Sequence, residues 1–104
     1  MGLSDEEIIA LLKPVIPKEQ IAEAKIYLDT ELKESGEIVS IGRKAYPMPF
    51  AGYFIFIDLM PMANWGHPAL GVFVNQEEKR VVTIESEFPP FFGDPPSTYR
   101  RLFL

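Results

Sequence analysis

The chain contains the stretch YFIFIDLM at residues 53–60, and this stretch decides the fold. Successive side chains of a β-strand point to opposite faces of the sheet, so a strand with one solvent face alternates between apolar and polar residues. One face here would carry Tyr53, Ile55, Ile57 and Leu59, and the other Phe54, Phe56, Asp58 and Met60. Because both faces are apolar apart from Asp58, we expect a central strand, or one whose second face meets another structure.

The residues around this strand are almost free of charge. Between residues 45 and 76 the sole formal charge is Asp58, although 24% of the whole chain is charged. Residues 70–74, within the same stretch, have the pattern of a second strand with two apolar faces. Such a stretch is either the centre of a core or a face that another surface covers.

The loop at residues 61–68 contains the only tryptophan and the only histidine of the chain, Trp65 and His67. Tryptophan buries a large area at low entropic cost and is common at the centres of interfaces, so the two residues form a candidate contact tip. The alternative is that Trp65 folds inward and closes one end of the sheet.

The N-terminal segment predicts one or two helices. Ser4 and Glu7 have the spacing of a capping box, and Pro14 should end the helix that follows. Residues 18–34 predict a second helix, because apolar residues recur at steps of three and four and Gly36 stands where a left-handed C-cap would be. These apolar residues are Ile21, Ala24, Leu28 and Leu32.

Residues 26–34 also fit a strand, because apolar and polar side chains alternate from Ile26 to Lys33 and Ser35 and Gly36 could turn a hairpin. We favour the helix, since residues 18–24 are rich in strong helix formers.

The remainder of the chain predicts strands at residues 37–46, 53–60, 70–74 and 80–88, and a tail that packs as an irregular strap or adds one more strand. Helices followed by successive strands indicate an α+β fold. We expect a single domain, residues 1–104, with one or two N-terminal helices packed on one face of a roughly four-stranded antiparallel meander.

Composition excludes several classes of protein. The 104 residues include no cysteine, so the chain has no disulfide, no thiolate nucleophile and no cysteine-based metal site. The N-terminus lacks the basic and apolar regions of a signal peptide, and no stretch is apolar for long enough to span a bilayer. We therefore expect a cytoplasmic protein with no membrane segment.

The distribution of charge points to the kind of partner. Residues 1–37 hold nine acidic and four basic side chains, a net charge of −5, whereas residues 38–104 hold six of each. The acidic third would repel a phosphate polyanion, and the basic pairs elsewhere are scattered. We expect no nucleic acid, and a protein partner with a basic surface.

The catalytic and cofactor patterns are sparse. Asp58 and His67 could meet as an acid–base dyad if their loop folds back. The alternative is that Asp58 caps the loop by accepting hydrogen bonds from backbone N–H groups. One histidine without cysteine supplies too few zinc ligands, and isolated glycines form no phosphate-binding motif, so we expect no metal site and no cofactor.

Five segments carry a resemblance to a known family. They are Ala24-Lys-Ile-Tyr-Leu-Asp29, expected on a helix, Ser35-Gly-Glu-Ile-Val39, Gly52-Tyr-Phe-Ile-Phe56, Val72-Phe-Val-Asn75 and Val81-Val-Thr-Ile-Glu85. Together they resemble the pattern of a small bacterial immunity-protein family of polymorphic toxin systems. The resemblance implies a short, acidic, non-catalytic protein that binds a toxin. The turn before Val81 contains Glu77 and Glu78 but no glycine, and the resemblance assigns no functional residue.

Three functional hypotheses follow. The first is a non-catalytic protein-binding module. Its candidate contact residues are Trp65, His67, Asp58, Tyr53 and Phe56. The second is a small-ligand-binding domain or minor enzyme with a pocket between helix and sheet, lined by Tyr46, Tyr53, Phe54, Phe56 and Trp65. The third is a homodimer, because a sheet with helices on one side needs a second cover.

Overall fold

A computed structural model describes residues 3–41, 44–61, 68–87, 90 and 95–103. Within these ranges the chain forms one α-helix and seven β-strands. The elements are α1 (Asp5–Leu12), β1 (Lys25–Asp29), β2 (Ile38–Ile41), β3 (Lys44–Pro47), β4 (Tyr53–Asp58), β5 (Ala69–Asn75), β6 (Arg80–Ser86) and β7 (Tyr99–Leu102). The α+β class that the sequence predicts is therefore confirmed.

Five of the strands form an antiparallel sheet in the order β6-β5-β4-β1-β7. β4 lies at its centre, where Ile55 is in register with Leu28 of β1 on one side and with Val72 of β5 on the other. The sequence prediction that residues 53–60 supply a central strand is confirmed, because β4 has a hydrogen-bonded neighbour at both edges.

The helix α1 covers one face of this sheet. Its capping box is confirmed: the Glu7 N–H donates to the Ser4 hydroxyl (3.2 Å), and the Ser4 N–H donates to the Glu7 carboxylate (3.1 Å). Ile8 and Leu12 are buried in the cluster that includes the helix-facing side chains of β1, β4 and β5. The α-helix ends at Leu12, and Pro14 lies in the short 3₁₀ turn that follows.

The second face is covered by a hairpin from the same chain. β2 and β3 pair only with each other within the described residues, and together they form a separate two-stranded sheet. A second buried cluster joins this hairpin and the segment after it to the sheet, and its members are Val39, Ile41, Met48, Phe50, Phe54, Phe56, Ala69 and Phe73. The two apolar faces of β4 and β5 are thus both explained by burial within one chain.

The predicted helix at residues 18–34 is wrong. A short 3₁₀ turn, Lys18–Gln20, is followed by the strand β1, which lies between β4 and β7. Ile26 and Leu28 pack toward α1, whereas Tyr27 lies on the opposite face, as the alternating pattern in this segment predicts. Pairing at both strand edges overrides the helical propensity of the local sequence.

Three finer predictions also need correction. The chain forms one α-helix in the described ranges rather than two, and the sheet has five strands rather than four. Residues 37–46 form the strands of the β2–β3 hairpin instead of one strand. The tail adds the strand β7, which pairs with β1, so the extra-strand alternative is confirmed for residues 99–102.

We expect Gly52→Ala to destabilise the fold. Gly52 exchanges two backbone hydrogen bonds with Lys33 (2.8 and 2.9 Å), and a Cβ at this position would overlap the backbone carbonyl of Val74. Relieving that overlap requires β5 or the bridge to move, so the free energy of unfolding should fall by about 1–3 kcal/mol or more. Urea unfolding measures this change. Ala51→Ser, at an exposed neighbour, is the control, and equal stability of the two variants would contradict the packing described.

Candidate functional site

The structure places the predicted site residues in different environments. Trp65 and His67 lie outside the described residues. Tyr53, Phe56 and Asp58 belong to β4, but Tyr53 packs in the cluster beneath α1 whereas Phe56 is buried on the hairpin face. Tyr53 and Phe56 therefore lie on opposite faces of the sheet and cannot belong to one surface.

Asp58 stands at the end of β4, where its Oδ1 accepts a hydrogen bond from the Met60 N–H at 3.2 Å. This contact is the loop-capping role that the sequence offers as the alternative to catalysis. In the sheet Asp58 is in register with Lys25 of β1 and Ala69 of β5. A dyad between Asp58 and His67 stays a prediction, because His67 lies outside the described ranges.

The pocket expected between helix and sheet is not assembled by its described members. Tyr46, Phe54 and Phe56 belong to the cluster under the hairpin, whereas Tyr53 belongs to the cluster under α1. The sheet itself separates the two groups. Phe54 is fully buried, with its ring centroid 5.8 Å from that of Phe73, and thus contributes to the core.

A cleft of about 380 Å³ lies elsewhere, between residues 21–25 and the end of β7. Its lining consists of Ile21, Ala22, Glu23, Ala24, Lys25, Arg101, Leu102 and Phe103. The Arg101 guanidinium carbon is 5.3 Å from the ring centroid of Tyr27 and 4.8 Å from that of Phe103, distances typical of cation–π contacts. The Nε atom of Arg101 is buried and makes no hydrogen bond with the described residues.

The net charge of the chain is concentrated at one end of the five-stranded sheet. We define this acidic end as Asp5–Glu7 in α1, residues 29–37, the turn at residues 77–80, and Arg100. It contains nine carboxylates and four basic groups, a net charge of −5, which leaves six acidic and six basic side chains in the rest of the chain. The whole net charge is therefore accounted for by three separate segments, together with Arg100, that the fold brings to one end.

Two ion pairs connect the first turn of α1 to the two edges of the sheet, one to β7 and the other to the turn before β6. Arg100 of β7 binds Asp5 through both carboxylate oxygens, at 2.6 and 2.9 Å, and Lys79 contacts Glu7 at 2.9 Å. The hydrogen bonds from Arg100 hold the pKa of Asp5 below its ordinary value, and the contact with Lys79, followed by the hydrogen bonds with Ser4, lowers the pKa of Glu7. Both carboxylates thus favour the charged form.

We call residues 30–37 the acidic loop, and its backbone is fixed at several points. The Thr30 N–H donates to the Thr98 carbonyl (2.8 Å), and Lys33 forms the paired hydrogen bonds with Gly52. The Gly36 N–H donates to the Met48 carbonyl (2.8 Å), at a position with φ of +85° that glycine adopts without strain. These bonds hold the loop against the segment that precedes β4.

A buried ion pair supports the acidic loop from inside. Asp29 is 5% exposed, and its Oδ2 lies 2.9 Å from the Lys33 ammonium, while its Oδ1 accepts from the Glu31 N–H at 3.1 Å. The same ammonium is 3.8 Å from the Glu37 carboxylate. Burial raises the pKa of Tyr99, beside Asp29 in the sheet, and the Asp29 charge adds to this increase.

The outer side of the acidic loop presents apolar as well as acidic side chains. Leu32 is 51% exposed and Ile38, directly after the loop, is 60% exposed, and Glu31 and Glu34 are exposed beside them. The sequence prediction missed this surface because it assigned Leu32 to the buried face of a helix. The alternation of residues 26–33 predicts the strand β1, but it would place Leu32 on the buried face of Ile26 and Leu28, so neither pattern predicts the exposure of Leu32.

Comparison of the chain with models of protein families, with curated proteins and with solved structures found no match. Among the residues that the structure describes, no helix has the length and hydropathy needed to cross a membrane. In the same ranges no three histidine or carboxylate side chains lie close enough together to hold a metal ion. The acidic end and the cleft beside Arg101 are therefore the two sites from which function can be argued.

We expect Lys33→Ala to destabilise the protein strongly. The substitution leaves the Asp29 carboxylate buried without its cation and removes the contact with Glu37. Loss of one partner of a buried pair costs about 3–5 kcal/mol, an effect that urea unfolding measures directly. Lys18→Ala, at an exposed site in the 3₁₀ turn, is the control. A Lys33→Ala variant as stable as this control would show that the pair does not support the loop.

The Asp5–Arg100 pair predicts a pH dependence of stability. The pKa of Asp5 in the folded state lies below its ordinary value of 3.8, so the pair stabilises the fold above that pH and is lost as pH falls through the folded-state pKa. Because both side chains are nearly half exposed, the stabilisation is at most about 1 kcal/mol. Unfolding of the wild type and of Asp5→Asn should therefore differ at pH 7 and converge at the lowest pH.

Glu6→Gln is the matched control for this measurement. Glu6 lies in the same turn of α1 and has the same interaction with the helix dipole, but it forms no ion pair with the described residues. If Asp5→Asn and Glu6→Gln changed the pH profile equally, the helix dipole rather than Arg100 would account for the effect.

Proposed function

We propose that this chain is a non-catalytic protein-binding module whose acidic end covers a basic surface of a partner protein. The observation that carries the proposal is the exposure of Leu32 within the acidic end, which holds a net charge of −5, and of Ile38 directly after the acidic loop. Apolar side chains at the centre of a polar, charged surface are the usual anatomy of a protein interface.

The geometry of the acidic loop supports this function. Because backbone hydrogen bonds at Thr30, Lys33 and Gly36 fix the loop, binding would order few additional groups. A preformed surface retains more of its interaction energy as affinity. The concentrated negative charge would accelerate encounter with a basic partner, and salt would weaken this effect.

The resemblance to immunity proteins supports one form of the proposal, in which the partner is a basic toxin domain encountered in the cytoplasm. The segment Ala24–Asp29 that the resemblance expects on a helix contains the strand β1 in this chain. The proposal therefore depends on the acidic end, and the toxin is the partner class that the resemblance adds to it.

A small-ligand-binding domain is the second candidate, and the cleft beside Arg101 favours it. Lys25 and Arg101 line the cleft together with the apolar side chains of Leu102 and Phe103, a combination that suits a small anion with an apolar part. Titration of ¹⁵N-labelled protein with benzoate tests this candidate. Shifts confined to the cleft residues, and absent in Arg101→Gln, would support it, and a spectrum unchanged at millimolar benzoate would count against it.

The leading proposal is tested first by site-specific photocrosslinking in cells. A photoreactive residue at position 32 should capture one protein with a basic surface, whereas the same residue at exposed Glu19 should not. The captured protein is then purified and its affinity for the chain is measured. We expect Leu32→Asp to weaken binding about tenfold or more, as loss of a central interface side chain does.

A pair of charge variants separates the acidic end from net charge alone. Glu31→Lys with Glu34→Lys changes the acidic loop, and Glu19→Lys with Glu23→Lys makes the same change in net charge outside it. The first variant should reduce the association rate and its salt dependence much more than the second. Equal effects of the two variants would contradict a role for the acidic end, as would a partner that binds Leu32→Asp normally.

A further inference from the structure

The strand β6 forms one edge of the sheet and presents an unusually complete pairing surface. It is in register with β5 along all seven residues, and none of the described residues pairs with its other edge. The strand contains neither proline nor glycine, the residues that commonly interrupt an edge. The opposite edge, β7, is four residues long. β6 therefore offers the longer row of backbone donors and acceptors to a further strand.

The charges of this edge are arranged in a self-complementary order. Lys79 and Arg80 stand at its beginning, and Glu85 and Glu87 stand at its end. Antiparallel pairing of two copies places the basic beginning of each strand beside the acidic end of the other. Parallel pairing would instead bring like charges together. Opposite charges across paired strands stabilise a sheet, and like charges destabilise it.

A single register pairs the whole strand with itself. A two-fold axis perpendicular to the sheet relates the two copies, so the hairpin faces of both copies lie on the same side of the joined sheet. When this axis passes through Thr83, Arg80 is opposite Ser86 of the second copy, and all seven residues of β6 have a partner. Lys79 and Glu87, which flank the strand, would then lie near each other across the junction. On the hairpin face Val82, which is 36% exposed, lies opposite the half-buried Ile84. Both apolar side chains would gain contacts across the junction.

Existing contacts of the basic residues are compatible with this register. Lys79 binds Glu7 and Arg80 binds Glu78, each at 2.9 Å, but the two basic side chains remain 62% and 55% exposed. Glu87 of a second copy would therefore extend the pair between Lys79 and Glu7 into a network. Such a network at a strand junction is worth more than an isolated surface pair.

We propose that two copies of this chain associate through antiparallel pairing of β6 with β6, centred on Thr83, to form a continuous ten-stranded sheet. The paired strands run in opposite directions, so the acidic ends of the two copies lie at opposite ends of the dimer. Both would stay accessible to partner proteins. The proposal uses the edge of the sheet and a second copy of the same chain, and it shares Lys79, Arg80 and Glu7 with the acidic end but not the acidic loop.

The absence of cysteine makes disulfide trapping a direct test. Residues opposite each other in antiparallel strands have Cβ atoms about 4.5–5.5 Å apart, close to the separation that a disulfide requires. Oxidation of Thr83→Cys should give a covalent dimer at least tenfold faster than oxidation of Ser35→Cys, an exposed control in the acidic loop. A mixture of Val81→Cys and Glu85→Cys should give mainly the mixed dimer. Equal rates for Thr83→Cys and Ser35→Cys would overturn the proposal.

Sedimentation of cysteine-free variants tests the charge arrangement separately. The wild type should sediment as a dimer at high protein concentration. Glu85→Lys with Glu87→Lys should be monomeric, and adding Lys79→Glu with Arg80→Glu should restore the dimer, because the reversed order is again self-complementary. A wild type that stays monomeric at millimolar concentration, or a variant with only Glu85→Lys and Glu87→Lys that dimerises as well as the wild type, would contradict β6 pairing.

Discussion

Strand β4 has a neighbouring strand at each edge and apolar side chains on both faces, and the rest of the structure depends on removing all of these surfaces from water. Full burial of one large apolar side chain contributes about 1.5–3 kcal/mol, so neither face could be left exposed without a large loss of stability. α1 covers one face, and the β2–β3 hairpin covers the other. Because both covers belong to the same chain, most of the described residues in the uncharged stretch 45–76 are buried.

The parts of the fold that were predictable are those in which local pattern and final environment agree. The two-sided apolar pattern of residues 53–60 predicted a central strand, and the spacing of Ser4 and Glu7 predicted a helix start. The prediction of a helix at residues 18–34 was wrong because helical spacing and strand alternation coexist in that segment. The contacts that decide between them, with β4 and β7, come from residues far along the chain. Nothing in the local sequence carries that information.

The candidate site was harder to predict for a related reason. The sequence analysis located the excess of acidic residues in residues 1–37. In the fold, the acidic end also includes the turn at residues 77–80, and it does not include Glu19 and Glu23. Leu32 was misplaced together with the helix. Trp65 and His67 lie outside the described residues, so the contact tip remains a prediction. Covering both faces of the sheet leaves its ends and edges as candidate surfaces for association, and we propose the acidic end for a basic partner and β6 for a second copy.

The central claim is that the hairpin of this chain, and no other protein, covers the second face of the sheet. The nearest test is a nuclear Overhauser effect between the Ile41 δ1 methyl group and the α protons of Gly71, because a Cβ built on Gly71 would lie 3.0 Å from that methyl carbon. We predict a strong cross-peak in the isolated protein, with the Ile41 methyl shifted by the neighbouring aromatic rings. Absence of the cross-peak, with an Ile41 methyl at its random-coil shift, would show that the hairpin leaves this face open.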